Sequence, residues 1–136
     1  MMICSYAAVF SPMEEGSGYY VRFPDLPGCI TTGKDLNDAL AMAADVLPLW
    51  LITAEDAGET VAAPSDLRSI PHEENDIVTL VQADTVRYRA MNDNRAVRKN
   101  VSLPQWMVTL ADSMGLNCSQ ILQEALRERF GKQARA

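Results

Sequence analysis

Residue by residue, the chain specifies an α+β protein: a small sheet covered by one helix, followed by a short basic unit of one strand and two helices. Three observations lead there. Apolar runs of strand length alternate with turn residues near the start, a longer stretch repeats apolar residues at helical spacing, and the charge reverses sign near residue 87. Residues 1–86 carry 14 acidic and 3 basic side chains, a net of −11, whereas residues 87–136 carry 4 and 9, a net of +5. An acidic body joined to a basic tail implies two partners of opposite charge.

The elements follow in order. Ile3 to Phe10 has the length of a strand, Ser11 to Gly18 is dense in turn residues, and Tyr19 to Phe23 is aromatic and β-branched, so the first two strands read as a hairpin. Pro24 and Pro27 remove backbone donors and stop that strand, and Ile30-Thr31-Thr32 forms a short third one. A helix starts at Asp35, a good N-cap, with Asp38 in its first turn; Leu36, Leu40, Ala43, Val46, Leu47, Trp50, Leu51 and Ala54 make its stripe, and Gly58 stops it. Pro48 inside that pattern is expected to kink or split the helix. Val61 to Glu74 reads as a surface connection, and Ile77 to Val81, apolar on both faces, as an interior strand.

The expected domains are a body over 1–89, a polar linker over 90–95 and a C-terminal unit over 96–136. In that unit Val97 to Leu103 is a strand ending at Pro104, and Trp106, Met107, Leu110, Ala111 and Met114 form a helical stripe ended by Gly115. Asn117 caps a second helix, with Gln120 as its capping-box partner, Ile121, Leu122, Ala125, Leu126 and Phe130 as its stripe, and Gly131 closing it. So small a unit, without disulfide or metal, folds by oligomerising. Two copies pairing their strands as an antiparallel ribbon would bury Val101 and Leu103 and project Arg98, Asn100 and Ser102 from the opposite face. Such a ribbon fits the major groove, where Arg and Asn read guanine and adenine edges.

Length and composition narrow the function further. The 136 residues, 48% of them hydrophobic, suit one ordinary domain or two very small ones, and exclude a large enzyme or a disordered chain. No unbroken apolar run approaches the ~20 residues of a membrane span, and Met1 to Tyr6 lacks the character of a signal peptide, so a cytoplasmic location is expected. Cys4, Cys29 and Cys118 lie far apart and His72 is the one histidine, so neither a disulfide framework nor a zinc site is expected; the cysteines read as buried small hydrophobes, and no metal or cofactor is called for. Trp50 and Trp106, on apolar stripes, read as core.

Arg98-Lys99-Asn100-Val101-Ser102-Leu103-Pro104, the helix after it, and Gly115-Leu116-Asn117-Cys118-Ser119 resemble a ribbon-helix-helix DNA-binding domain. The resemblance implies that Asn117, Cys118 and Ser119, at the start of the second helix, hold a DNA phosphate through backbone donors, as the physics of a helix N-terminus allows. The body resembles the HicB antitoxins: Phe23-Pro24-Asp25-Leu26-Pro27-Gly28-Cys29, then Thr32-Gly33, the helix from Asp35, and Val61-Ala62-Ala63-Pro64-Ser65. Together the two resemblances cover almost the whole chain. They imply a degenerate RNase H-like body that blocks a HicA-like RNA-cleaving toxin, and a dimeric tail that represses the operon at operator DNA, with a tetramer through the acidic bodies left open.

RNase H-like folds include nucleases, so catalysis is an alternative to inhibition. Two-metal nucleases need converging carboxylates, one typically on a central strand, yet Ile3 to Phe10 contains none. Asp38 and Asp45 are explained as solvated helix charge, Asp25 as a turn residue, and His72 has no nucleophile nearby in sequence. An inhibitory mask uses the acidity better, since an RNA-cleaving protein presents a positive surface and attracts an acidic cover. Asp25, Glu55 and Asp56 are examples of side chains that could touch it; the sequence singles out none. The alternative is a stand-alone ribbon-helix-helix repressor whose N-terminal domain senses another protein or a small ligand, with no toxin.

Overall fold

Ten residues, Ile3–Pro12, form strand β1, whose side chains divide between two faces. Tyr6, Ala8 and Phe10 enter the main core; Ala7 and Val9 enter a smaller one on the reverse. In this computed structural model, which describes residues 3–93 and 95–135 and side chains as far as residue 131, β2 (Tyr19–Arg22) and β3 (Ile30–Gly33) follow as a meander. β4 (Ile77–Asp84) pairs with the other side of β1, giving the order β3-β2-β1-β4 with every pair antiparallel. The register places Val21 opposite Phe10 and Val81 opposite Tyr6, which continues one apolar face across three strands.

Helix α1 (Leu36–Asp56) covers that face with Ala39, Ala43, Leu47 and Leu51, all fully buried. Its start is fixed twice. The Asp38 amide donates to Asp35 Oδ1 at 2.8 Å, and the Lys34 amide donates to Asp38 Oδ2 at 2.8 Å, a reciprocal cap. Gly33 and Ala39 are in such close approach that a Cβ on Gly33 would stand 2.3 Å from the Ala39 nitrogen. The chain leaves α1 through Gly58 at φ 70°, where the Glu59 amide donates to Ala54 O at 2.9 Å.

Several expectations are corrected. Pro48 neither splits nor ends α1, which runs unbroken through it; the single lost backbone bond is outweighed by packing, since Leu47, Pro48 and Leu51 are all buried. The fourth strand is longer than expected and lies at the sheet edge. Its apolar faces arise because Val81 and Ala83 meet the main core while Val78 packs with Ile70 and Leu67 on the reverse, where Leu67–Ser69 forms a short 3-10 turn. α1 is also apolar enough, at a mean hydropathy of 1.3 over 18 residues, to cross a membrane by length and composition; no unbroken run signals this because Asn37, Asp38 and Asp45 interrupt it.

The chain divides into two compact units, Met1–Arg89 and Ala90–Ala136. Helix α2 (Thr85–Asn92) crosses that division, so residues 90–92 complete a helix rather than opening a linker. Asp84 Oδ1 accepts from the Arg87 amide at 3.0 Å and starts α2. Its Arg89 donates to Asp56 at 2.8 Å, tying it to the end of α1. In the second unit α3 (Gln105–Ser113) ends where Gly115 takes φ 64° and the Leu116 amide donates to Ala111 O at 2.9 Å. Helix α4 (Cys118–Arg135) passes through Gly131 instead of closing there, because that glycine continues the helix instead of turning the chain. Residues 95–104 form no strand: the expected Val97 to Leu103 strand has no second strand beside it in a single chain.

Candidate functional site

Two surfaces bear the features that the sequence singles out, one on each unit. In the second unit, Arg98, Asn100 and Ser102 are all exposed on the extended segment before α3. Asn117 caps α4, its Oδ1 accepting from the Gln120 amide at 3.1 Å; the Gln120 side chain reaches forward to Glu124 at 3.5 Å rather than back to the cap. With Asn117 so engaged, the outward-pointing donors of the first turn are the Cys118 and Ser119 amides, both on exposed residues. Cys118 is therefore exposed rather than buried as expected, since the first turn of a helix packs on nothing within this unit.

The apolar stripes of this unit are uncovered. Trp106 is 62% exposed and Met114 68%, whereas both tryptophans were expected in a core; among the described residues from 90 to 131, Ala111 is the most covered and is only half-buried. Two short helices with matching stripes cannot enclose each other's apolar faces. The unit presents a core cut open.

In the first unit, the Phe23-to-Cys29 loop folds on itself, with the Leu26 amide donating to Phe23 O and the Cys29 amide to Leu26 O, both at 3.0 Å. Leu26 and Cys29 plug the core, and burial pushes the Cys29 thiol up to about 11. Asp25 accepts from both the amide (2.8 Å) and the hydroxyl (2.6 Å) of Ser65, and the Tyr6 hydroxyl donates to Ala62 O at 2.7 Å. These bonds pin the 61–65 segment against the loop, so the two motif stretches are one structural feature. Asp25 is thus a clasp, and Glu55 and Asp56 are engaged by Arg89 at 3.7 and 2.8 Å.

Asp38 serves the α1 cap, and Asp45 sits two turns further along the solvent side. The His72 Nδ1 lies 2.9 Å from Ile70 O. Among the described residues, no three His, Cys, Asp or Glu side chains converge where a metal ion would be held.

Sequence reasoning missed the outer side of α1. Met42, Asp45, Leu49, Thr53 and Asp56 recur there at steps of three and four and are all exposed. Beside them runs a groove of about 320 Å³ lined by Pro27, Val46, Leu49, Trp50, Thr53 and Glu59. Trp50 is only half-buried, at the groove rather than in the core. The signal was present in the excess hydropathy of α1, since a helix with one buried face needs no Met42 or Leu49 on the other. A second open patch, on the reverse of the sheet, holds Tyr20 (58% exposed), Ile30 (66%) and Arg22 around a recess of about 550 Å³.

The fold of this chain, a four-stranded antiparallel sheet under one helix followed by a small helical unit, is similar to that of solved structures. One chain of a toxin-antitoxin complex from Streptococcus pneumoniae superposes with a TM-score of 0.60 at 24% identity, covering 94% of this chain and 99% of that one. The antitoxin HicB of Burkholderia pseudomallei gives 0.52 at 23% identity, with 90% and 96% covered. The family described as "HicB_like antitoxin of bacterial toxin-antitoxin system" matches residues 6–124, and the chain belongs to that family. Antitoxin HicB 1 of Photorhabdus laumondii is 48% identical over 42 residues, which are 31% of this chain; the matched stretch spans about a quarter (26%) of that relative.

Proposed function

We propose that this chain is an antitoxin whose acidic body, a degenerate RNase H-like domain, binds and occludes a HicA-like RNA-cleaving toxin in the cytoplasm, and whose basic C-terminal unit represses its own operon as a ribbon-helix-helix homodimer. One observation carries the reading: the body, net −11, encloses its own core, while the tail, net +5, leaves its stripes open. A unit without an interior requires a second copy, and pairing two 95–104 segments supplies the strand that one chain lacks. Arg98, Asn100 and Ser102 then read base edges, while the start of α4 at Asn117, Cys118 and Ser119 takes a phosphate. The body needs no catalytic group, because an acidic cover on a cationic RNA-binding surface excludes substrate by occupancy alone.

The test pairs two readouts on the full chain. Co-expression with a HicA-like toxin, taken from any small basic reading frame found to adjoin the gene, is expected to restore growth, and the purified chain is expected to bind its promoter as a dimer by sedimentation and gel shift. Asn100→Ala costs about 1–3 kcal/mol of operator affinity and relaxes sequence preference. Unchanged operator binding by that variant refutes the ribbon assignment, and failure to restore growth refutes the antitoxin role.

A further inference from the structure

We propose that Arg95 grips a DNA phosphate beside the ribbon and that Asp93 holds the same guanidinium when no DNA is bound; this rests on the ribbon-helix-helix reading above and adds a contact outside the groove. Charge is unevenly placed in the second unit. No Lys or Arg occurs between Asn100 and Leu126, a stretch that holds Asp112 and Glu124 and includes the start of α4, the phosphate site of that reading. Farther along α4, Arg127 and Arg129 are matched by Glu124 and Glu128. Among the described side chains of this unit, the surplus of positive charge therefore sits ahead of α3. It consists of Arg95, Arg98 and Lys99, all exposed on a segment without regular structure. DNA affinity comes in large part from cations on phosphates, whereas the start of α4 offers only neutral donors.

The three cations have different places in a paired ribbon. Arg98 is in step with Asn100 and Ser102 and faces the bases, whereas Lys99 alternates to the inward face with Val101 and Leu103. Arg95 precedes the strand, so the pleat does not set its direction. At ~3.3 Å per residue it lies ~10 Å beyond Arg98. The groove winds around the duplex and a short ribbon does not follow it that far, so a side chain there passes over the bordering phosphates. Its partner in the free chain has the chemistry of such a phosphate. Asp93 takes the guanidinium in a fork, Oδ1 accepting from Nε at 3.0 Å and Oδ2 from Nη2 at 3.2 Å. Phosphate oxygens receive the same fork. The Arg95 side chain is 87% exposed and that of Asp93 52%, so the pair opens readily and contributes little to folding. A carboxylate two residues away thus stands in for the DNA backbone, and DNA displaces it to engage Arg95.

The experiment follows fluorescence anisotropy of a labelled duplex of the DNA upstream of the gene, and of an unrelated duplex of equal length, titrated with the full-length chain between about 50 and 200 mM salt. Arg95→Gln reduces the slope of log affinity against log salt by about 2 per dimer and weakens both duplexes by the same factor. Arg95→Lys, which keeps the charge, keeps the slope, and Arg127→Gln leaves it within about 0.5. Asp93→Asn tightens binding by about three- to tenfold, and that gain falls to about twofold or less once Arg95→Gln is present. Circular dichroism and sedimentation confirm that the variants fold and dimerise as the parent does. An unchanged slope in Arg95→Gln, or an equal fall in Arg127→Gln, overturns the phosphate contact. Equal gains from Asp93→Asn in both backgrounds overturn the competition by Asp93. A wild-type chain that binds neither duplex overturns the DNA-binding reading, and this contact with it.

Discussion

Replacing Gly33 by alanine tests how tightly α1 is seated on the sheet. Gly33 ends β3, is buried, and lies outside the positive-φ glycines, so its backbone accommodates alanine and space alone decides the outcome. The new methyl group would meet the nitrogen, Cα and Cβ of Ala39 at 2.3, 2.4 and 2.7 Å. Two of these atoms are backbone in the first turn of a helix held by the Asp35 and Asp38 caps, so relief requires moving the helix start. Overpacking of this kind costs about 1–3 kcal/mol, and rigid backbone neighbours put it at the upper end. The stiffer unfolded chain returns about 0.4–1 kcal/mol. The net expectation is destabilisation by about 2 kcal/mol.

Gly18→Ala is the milder comparison: its nearest neighbour is the Met13 sulfur at 2.7 Å, at the flexible end of a side chain, and the nearest backbone atom is Gly33 O at 3.1 Å, so its cost is about 1 kcal/mol and below that of Gly33→Ala. Urea unfolding of the full chain in a Trp106→Phe background reads the body alone, through Trp50 on α1. Adding Ala39→Gly does not rescue Gly33→Ala, because the obstructing nitrogen and Cα remain. A midpoint for Gly33→Ala at or above that of the parent refutes the close seating of α1 on β3.

Other outcomes follow from the same structure. Burial lifts the Cys29 thiol from 9.0 to about 11, so the unfolded chain releases that proton first; stability is intact below about pH 9 and falls as pH rises towards 11. Cys29→Ala shows a shallower alkaline decline in urea midpoint, and an equally steep one refutes the assignment. Asp25→Ala strands both Ser65 donors and costs about 1 kcal/mol, with faster proteolysis within 61–65; unaltered cleavage there argues against the clasp. On the proposed reading, two tails would bring +10 to DNA within a dimer of net −12, so toxin that offsets the acidic bodies is expected to strengthen operator binding at low salt. Weakened operator affinity at every toxin ratio refutes that coupling.

What the sequence disclosed depended on how local the determinant was. The Asp35 cap, the stops at Gly58 and Gly115, and the hairpin are set by neighbouring residues, and all are in the structure. Pro48 misled because its penalty is local, whereas the burial that overrides it comes from the sheet. α2 was hidden because Thr85 to Asn92 has little apolar periodicity; its start is fixed by Asp84 and its seat by the Arg89 bond to Asp56, 33 residues away. Asp25 could be read as a turn residue, but Ser65, its partner 40 residues on, could not. The outer side of α1 was masked for a different reason. Apolar residues on both sides of a helix blur into one stripe in sequence, and only a sheet under one side shows which of them are left over.

The place of β4 at the sheet border has a cost in solution behaviour. An eight-residue strand with no proline presents a row of backbone donors and acceptors to whatever strand comes alongside, and Ile77 and Leu80 on it are exposed. It is a template for self-association into ribbons of stacked sheets. Asp76 just before it and Asp84 at its end act as gatekeepers, and the negative charge of the surrounding body makes two such borders repel. That guard is electrostatic, so it weakens as salt shortens the screening length or as acid protonates the carboxylates. The expected outcome is that light scattering from the full chain rises first when high salt and low pH are combined, and equal scattering under all conditions refutes the electrostatic guard.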